Sequence, residues 1–217
     1  MKLRIVYDND AKEGLESDWG FSCLIEAEKK ILFDTGASGE ILSQNMQRLG
    51  IRKEEIEIIA LSHEHWDHIG GLDAVLHSEV AVYIPRSFTK GTKRRIKEKA
   101  ADVFEVSEHA DIVPGVHTTG ELGLTIKEQS LVLDTQEGVV VLTGCAHPGL
   151  KTIFGAAKVF GELYGVIGGF HGFDKLKLLG ELELIIPCHC TVHKAEIMKM
   201  YPEKVAWCGV GEIIEIY

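Results

Sequence analysis

Four apolar runs in this chain lead straight into histidine-bearing loops. Ile58–Leu61 runs into His63, Val139–Leu142 towards His147, Val166-Ile167 towards His171, and Ile185-Ile186 towards His189. Short runs of Ile, Val and Leu bounded by polar or turn residues read as buried strands. Side chains placed at strand ends are held by rigid neighbours, and separate strands can bring them to one point. A single histidine after a strand is usually a satisfied structural residue. Four of them argue for convergence on a metal.

The densest of these loops is Leu61-Ser62-His63-Glu64-His65-Trp66-Asp67-His68-Ile69-Gly70-Gly71. Alternation in an extended segment puts His63 and His65 on one side. Asp67 and His68 then fall at the turn into the next element, where Gly70 and Gly71 let the backbone bend. Neutral imidazole and carboxylate are the ligands preferred by zinc and similar first-row divalent ions. Four such groups this close can hardly all reach one ion, so the spacing suggests two neighbouring metals. The competing reading is a solvated histidine-rich loop, but each buried histidine would then need its own hydrogen-bond partner.

The chain's 217 residues suit one substantial core rather than two small ones, giving a single domain over 1–217. No apolar run approaches the ~20 residues of a membrane span. The start, Met1-Lys2-Leu3-Arg4-Ile5-Val6-Tyr7-Asp8, alternates like a strand and lacks the apolar core of a signal peptide, so a cytoplasmic protein is expected. A formal charge of −10 argues against a general nucleic-acid binder. The exception is the basic run Lys90–Lys99, which reads as a solvated helix face or as a phosphate contact. The five cysteines make no disulfide framework of the secreted type. They read as small buried residues in reduced surroundings, with Cys145, Cys188 and Cys190 near enough to histidines for a thiolate to serve a metal.

Strands are expected near the N-terminus and at 31–33, 56–61, 80–84, 122–126, 131–133, 139–142, 164–168, 184–187, 204–207 and 212–216. Ser38 can cap a helix carrying Ile41, Leu42, Met46 and Leu49, stopped by Gly50. Further helices are expected around 72–76, 90–99, 150–160, 174–182 and 192–200. Residues 86–115 are the least patterned and suggest a short cap over the site. Strand-rich and helix-alternating stretches in both halves point to an α/β fold of two sheets packed face to face with helices outside.

His-x-His-x-Asp-His at 63–68 resembles the signature of the metallo-β-lactamase superfamily of metal-dependent hydrolases. Ile31-Leu32-Phe33-Asp34-Thr35-Gly36 is similar to that superfamily's first motif. Leu142–Gly149 and Ile185–Thr191 are similar to its later ligand loops. More narrowly, Gly20-Phe21-Ser22, Gly144–Gly149, Gly168-Gly169-Phe170-His171 and Pro187–Thr191 resemble a dihydropteroate-synthase-like branch associated with methanopterin biosynthesis. The resemblance implies a four-layer αββα sandwich with two mixed sheets and metals in a cleft at one edge. It implies His63, His65 and His147 on one metal and Asp67, His68 and His189 on a second, with Asp34 behind them supporting the ligands. The superfamily's usual bridging aspartate has no counterpart here, and His171 or Cys145 stands nearest its place, so one or two divalent metal ions are expected. His65, where the oxygen-reducing diiron branch carries glutamate, favours zinc, with manganese or iron as alternatives.

The expected function is a metal-dependent hydrolase acting on a small ester, lactone or phosphodiester, with Asp67 as catalytic residue. Two alternatives stand beside it: condensation of a pterin diphosphate with an aromatic amine, and a non-catalytic metal-binding module. Trp19, Phe21, Trp66 and Phe170 are candidates for an aromatic slot. A small-molecule substrate is expected, with no nucleic acid or membrane partner, and the oligomeric state is not specified.

Overall fold

The computed structural model describes residues 1–217. Thirteen strands form two sheets. In the first, β1 (Lys2–Tyr7), β2 (Ser22–Glu26), β3 (Lys30–Phe33), β4 (Ile58–Ala60), β5 (Ala81–Pro85) and β6 (Asp102–Val106) follow in space as in sequence. The second takes β7 (Ala110–Val113), β8 (Val116–Thr118), β9 (Leu131–Thr135), β10 (Gly138–Thr143), β11 (Leu163–Gly169) and β12 (Leu184–Cys188) in the same way. The last strand, β13 (Ile213–Glu215), returns to the first sheet and pairs antiparallel with β1.

Each sheet begins as an antiparallel meander and ends in parallel strands, β3 to β6 in one and β10 to β12 in the other. Parallel neighbours need crossovers, most of which carry helices here: α1 (Gly39–Arg48), α2 (Trp66–Ile69), α3 (Leu72–Val75), α4 (Lys90–Lys97) and α5 (Leu150–Ala157). A final helix, α6 (Lys194–Met200), follows β12. Because parallel strands all point one way, the loops after β3, β4, β10, β11 and β12 collect at one edge.

The period of two sorts the side chains into layers. Ile31 and Phe33, Ile58 and Ala60, Val140 and Leu142, and Ile186 and Cys188 fill the space between the sheets. Leu32, Ile59 and Leu61 face the outer layer with Leu42, Leu72, Val75 and Ile96 from α1, α3 and α4. Val139, Val141, Val166 and Ile185 pack outward against Leu150, Ile153, Phe154 and Ile197 from α5 and α6. The result is the expected sandwich of two mixed sheets between helical layers. Ser38 caps α1 by accepting from the Ile41 N–H, and Gly50, with φ +70°, lies just past its end.

Several elements differ from the sequence expectation. Residues 122–126 are not a strand but a turn joined by one bridge, Leu122 to Glu128, with Gly123 at φ +96°. At 204–207 only Val205 bridges to Ile185, and 176–181 is a 3-10 rather than an α-helix. β2 and the three-residue β8 are additional strands. The segment 86–115, read from the sequence as a cap, supplies α4, the first sheet's edge strand β6 and the second sheet's edge strand β7. Its basic run covers α4 and the residues just past it; Lys93 and Lys97 pair with Glu105, and Lys99 pairs with Asp73. Against the expectation of reduced cysteines, Cys188 is disulfide-bonded to Cys208, their Cα atoms 5.4 Å apart. No helix is long and apolar enough to cross a membrane.

Candidate metal centre

The strand-end loops bring the expected residues together. His63, His65 and His147 form one group of potential ligands, and Asp67, His68 and His189 another; within each group the donor atoms lie within 4.8 Å of one another. Two further groups of the same size contain cysteine: His63, His68 and Cys145, and Cys145, His189 and Cys190. His171 belongs to none of the four. It is exposed beside His147, with ring centroids 4.9 Å apart.

Hydrogen bonds behind the ligands set which imidazole nitrogens are free. Asp34 is fully buried at the end of β3 and accepts the Ser62 N–H at 2.6 Å on Oδ1, and the Ser62 hydroxyl on Oδ2 at 2.7 Å. Having donated there, Ser62 Oγ can only accept from His63 Nδ1, 2.8 Å away. Asp34 Oδ2 also lies 2.7 Å from His68 Nδ1. A carboxylate only accepts, so Nδ1 carries the proton on both histidines and Nε2 keeps its lone pair, which on His63 faces His65 Nδ1 3.0 Å away. Gly144 makes room for this relay, since a Cβ there would collide with Ser62 Oγ.

His189 is oriented in the same manner. Its Nδ1 is 3.0 Å from Asn9 Oδ1, and its main-chain N–H donates to Asp8 Oδ1 at 2.8 Å. Its Nε2 stands 3.2 Å from Asp67 Oδ2 yet has no hydrogen-bond partner, and His147 Nε2 is likewise buried without one. With Nδ1 donating to Asn9, a lone pair faces a carboxylate oxygen, and a cation between them would relieve that repulsion. The donor chemistry and these unpartnered nitrogens fit divalent metal ions. Asp67 Oδ2 also accepts the Trp19 indole N–H at 2.9 Å, and Trp19 sits edge-on to the His189 ring. Of the other aromatic candidates, Phe21 and Phe170 are buried in the core and Trp66 is exposed.

Glu128 was not recognisable from the sequence. Fully buried, it accepts main-chain N–H groups from Cys145, Ala146 and His147 and the Thr143 hydroxyl, fixing the whole loop after β10. The chain's four non-glycine residues with left-handed φ are Asp34, Ala146, His171 and His189, at +58°, +56°, +47° and +44°. All four lie in the loops that build the centre. Backbone strain of this kind persists where surrounding contacts over-determine it.

The site's electrostatics follow from crowding. Burial, then the neighbouring imidazoles, holds His63 well below its ordinary value, and the same causes push His147 down to about 4. Burial lowers His68, but the Asp34 carboxylate outweighs it and the net shift is upward. Burial raises Asp67, while His189 and His68 together bring it below the usual carboxylate range. Burial drives Glu128 up against its three N–H donors.

Residues 20–189 match the model of the metallo-beta-lactamase superfamily. The chain belongs to that superfamily. A Methanocaldococcus jannaschii protein named 7,8-dihydropterin-6-methyl-4-(beta-D-ribofuranosyl)-aminobenzene-5'-phosphate synthase is 30% identical over 92% of this chain and 90% of its own length. A crystal structure of a metal-dependent hydrolase of the beta-lactamase superfamily superposes with a TM-score of 0.81 at 26% identity, covering 100% of this chain and 99% of its own. YhfI from Bacillus subtilis, a metallo-beta-lactamase fold protein, has a TM-score of 0.68 at 13% identity over 98% of each chain, a likeness of fold alone.

Proposed function

We propose that this chain is a metal-dependent hydrolase of a small ester, lactone or phosphodiester. The observation that carries the reading is the pair of ligand sets, His63/His65/His147 and Asp67/His68/His189, with unpartnered nitrogens turned inward. These sets would hold two divalent ions, zinc being the best match to imidazole and carboxylate together. Such an ion would supply a nucleophile at neutral pH, since it lowers the pKa of water from 15.7 to about 7. Asp34 and Ser62 keep His63 and His68 in the tautomers that ligation needs. Asp67, held by Trp19, would serve either as a ligand of the second ion or as the negative group that orients the attacking water. A cavity of about 430 Å³ opens beside His147, between the 123–126 turn and Pro148 and Thr152, and suits a small substrate.

The synthase relative supports a second reading, in which the ions that these residues would hold supply positive charge for a diphosphate leaving group in the condensation of a pterin diphosphate with an aromatic amine. Zinc-loaded protein should be assayed on phosphodiesters, lactones and esters, and on a pterin diphosphate with and without aromatic amine. Under the hydrolase reading, Asp67→Asn lowers turnover by ~10²–10⁴-fold with little change in KM. Condensation without hydrolysis would transfer the assignment to the second reading. Hydrolysis indifferent to Asp67→Asn would remove Asp67 from its catalytic role.

A further inference from the structure

Three of the chain's five cysteines are accounted for by packing or by the Cys188–Cys208 bond, and two are not. Cys23 sits among apolar side chains between the sheets, as an inert buried thiol does. Cys145 and Cys190 instead face each other inside the centre, their sulfurs 3.2 Å apart. Cys145 Sγ is also 3.1 Å from His68 Nε2, the nitrogen that Asp34 leaves bare.

We propose that Cys145 is a thiolate ligand of the metal centre, standing where the two ligand sets meet, and that Cys190 is a positioning residue whose S–H donates to that thiolate. The inference rests on the metal centre of the functional reading above but not on its substrate. Three observations carry it. First, Cys145 is the one residue shared by both cysteine-containing groups, with His63 and His68 on one side and His189 and Cys190 on the other. Second, co-ligands of a tetrahedral ion with bonds of 2.0–2.3 Å lie about 3.3–3.8 Å apart. The spacings here, 3.1 Å from Cys145 to His68, 3.2 Å from Asp67 to His189 and 3.9 Å from Asp67 to His68, lie close to that range, just below or just above it. Third, β11 ends in Gly168 and Gly169 followed by Phe170, so that strand end supplies no carboxylate to the centre. Gly169 lets Cys190 approach, since a Cβ at that position would lie 2.7 Å from Cys190 Sγ. A thiolate in the ligand set selects zinc over magnesium or manganese.

X-ray absorption on the zinc-loaded full chain, kept under a phosphine reductant, tests this without any substitution. A sulfur shell at about 2.3 Å is expected beside the nitrogen and oxygen shell at about 2.0–2.1 Å. Cys145→Ser should remove the sulfur shell. Cys190→Ala should keep it but weaken zinc binding by ~10–100-fold, the effect of losing a group that orients a ligand, and Cys190→Ser, which still donates, should restore affinity. A nitrogen and oxygen shell alone in the native protein would overturn the proposal while leaving the metal centre intact. So would a sulfur shell that survives Cys145→Ser. A native chain that binds no zinc would overturn the metal-centre reading and this inference with it.

Discussion

Asp34 organises the centre without a place in any ligand group. Its two oxygens take three hydrogens, from the Ser62 amide, the Ser62 hydroxyl and His68, and through Ser62 it also fixes His63. Asp8 does similar work for His189 at a cost. It is fully buried, its Oδ2 has no partner, and burial pushes its carboxyl up to about 6. A carboxyl raised from 3.8 to about 6 binds its proton more tightly in the folded chain, so its contribution to stability is present below pH 4 and is lost as pH rises towards 6. Asp8→Asn keeps the Oδ1 acceptor for the His189 N–H and removes the titration. Relative to the parent, the variant should gain up to about 3 kcal/mol between pH 4 and pH 7. Urea denaturation of both chains across that range measures the difference, and a flat difference would show that Asp8 is not a buried titrating acid. Neither Asp8 nor Glu128 could be found in the sequence. Their partners are main-chain N–H groups, which leave no pattern of residue types, and Asp8 lies 181 residues from the amide it holds. The ligands themselves were legible because three histidines and an aspartate within six residues have few other uses.

At the level of elements, the readable strands were those with strict alternation or a continuous apolar run, β1, β3, β4, β5, β9, β10, β11 and β12 among them. Misreading occurred where alternation arose for another reason. Leu122, Leu124 and Ile126 alternate, yet Leu124 is 95% exposed, and the turn brings Glu128 inward instead. β2 is buried on both faces over Ser22–Ile25, so it lacks the period-two signal, and β8 is too short to show one. The cost of the 122–128 turn is offset by what Glu128 does for the loop after β10. Glu128→Gln preserves shape, but its amide NH₂ would face the His147 N–H wherever Oε1 keeps its three donors. One buried donor left unsatisfied costs about 1–3 kcal/mol. The variant should lose stability on that scale in urea denaturation, and it should also hold zinc less tightly in chelator competition, since His147 is a ligand candidate. Unchanged values for both would mean that the loop is fixed without Glu128.

For the molecule as a whole, the centre lies where the two sheets meet. His63, His65, Asp67 and His68 come from the loop after β4 in the first sheet, while Cys145, His147 and His189 follow β10 and β12 in the second. An ion held between them crosslinks the halves of the sandwich, and ligands that sit unpartnered without it, such as His147 Nε2 and His189 Nε2, become satisfied. Metal binding is then folding free energy, because the unfolded chain offers no such convergence. At a free zinc concentration about a thousand times Kd the gain is about 4 kcal/mol, which for a chain of this size corresponds to a rise in Tm of about 8–16 °C. Thermal unfolding with zinc and with chelator should show that rise, reversible on chelation. In the His63→Ala/His65→Ala double variant, which removes two of the three ligands of one set and keeps the other set whole, the rise should be at most half as large. A rise of equal size in the parent and the double variant would place the stabilising ion outside the His63/His65/His147 group.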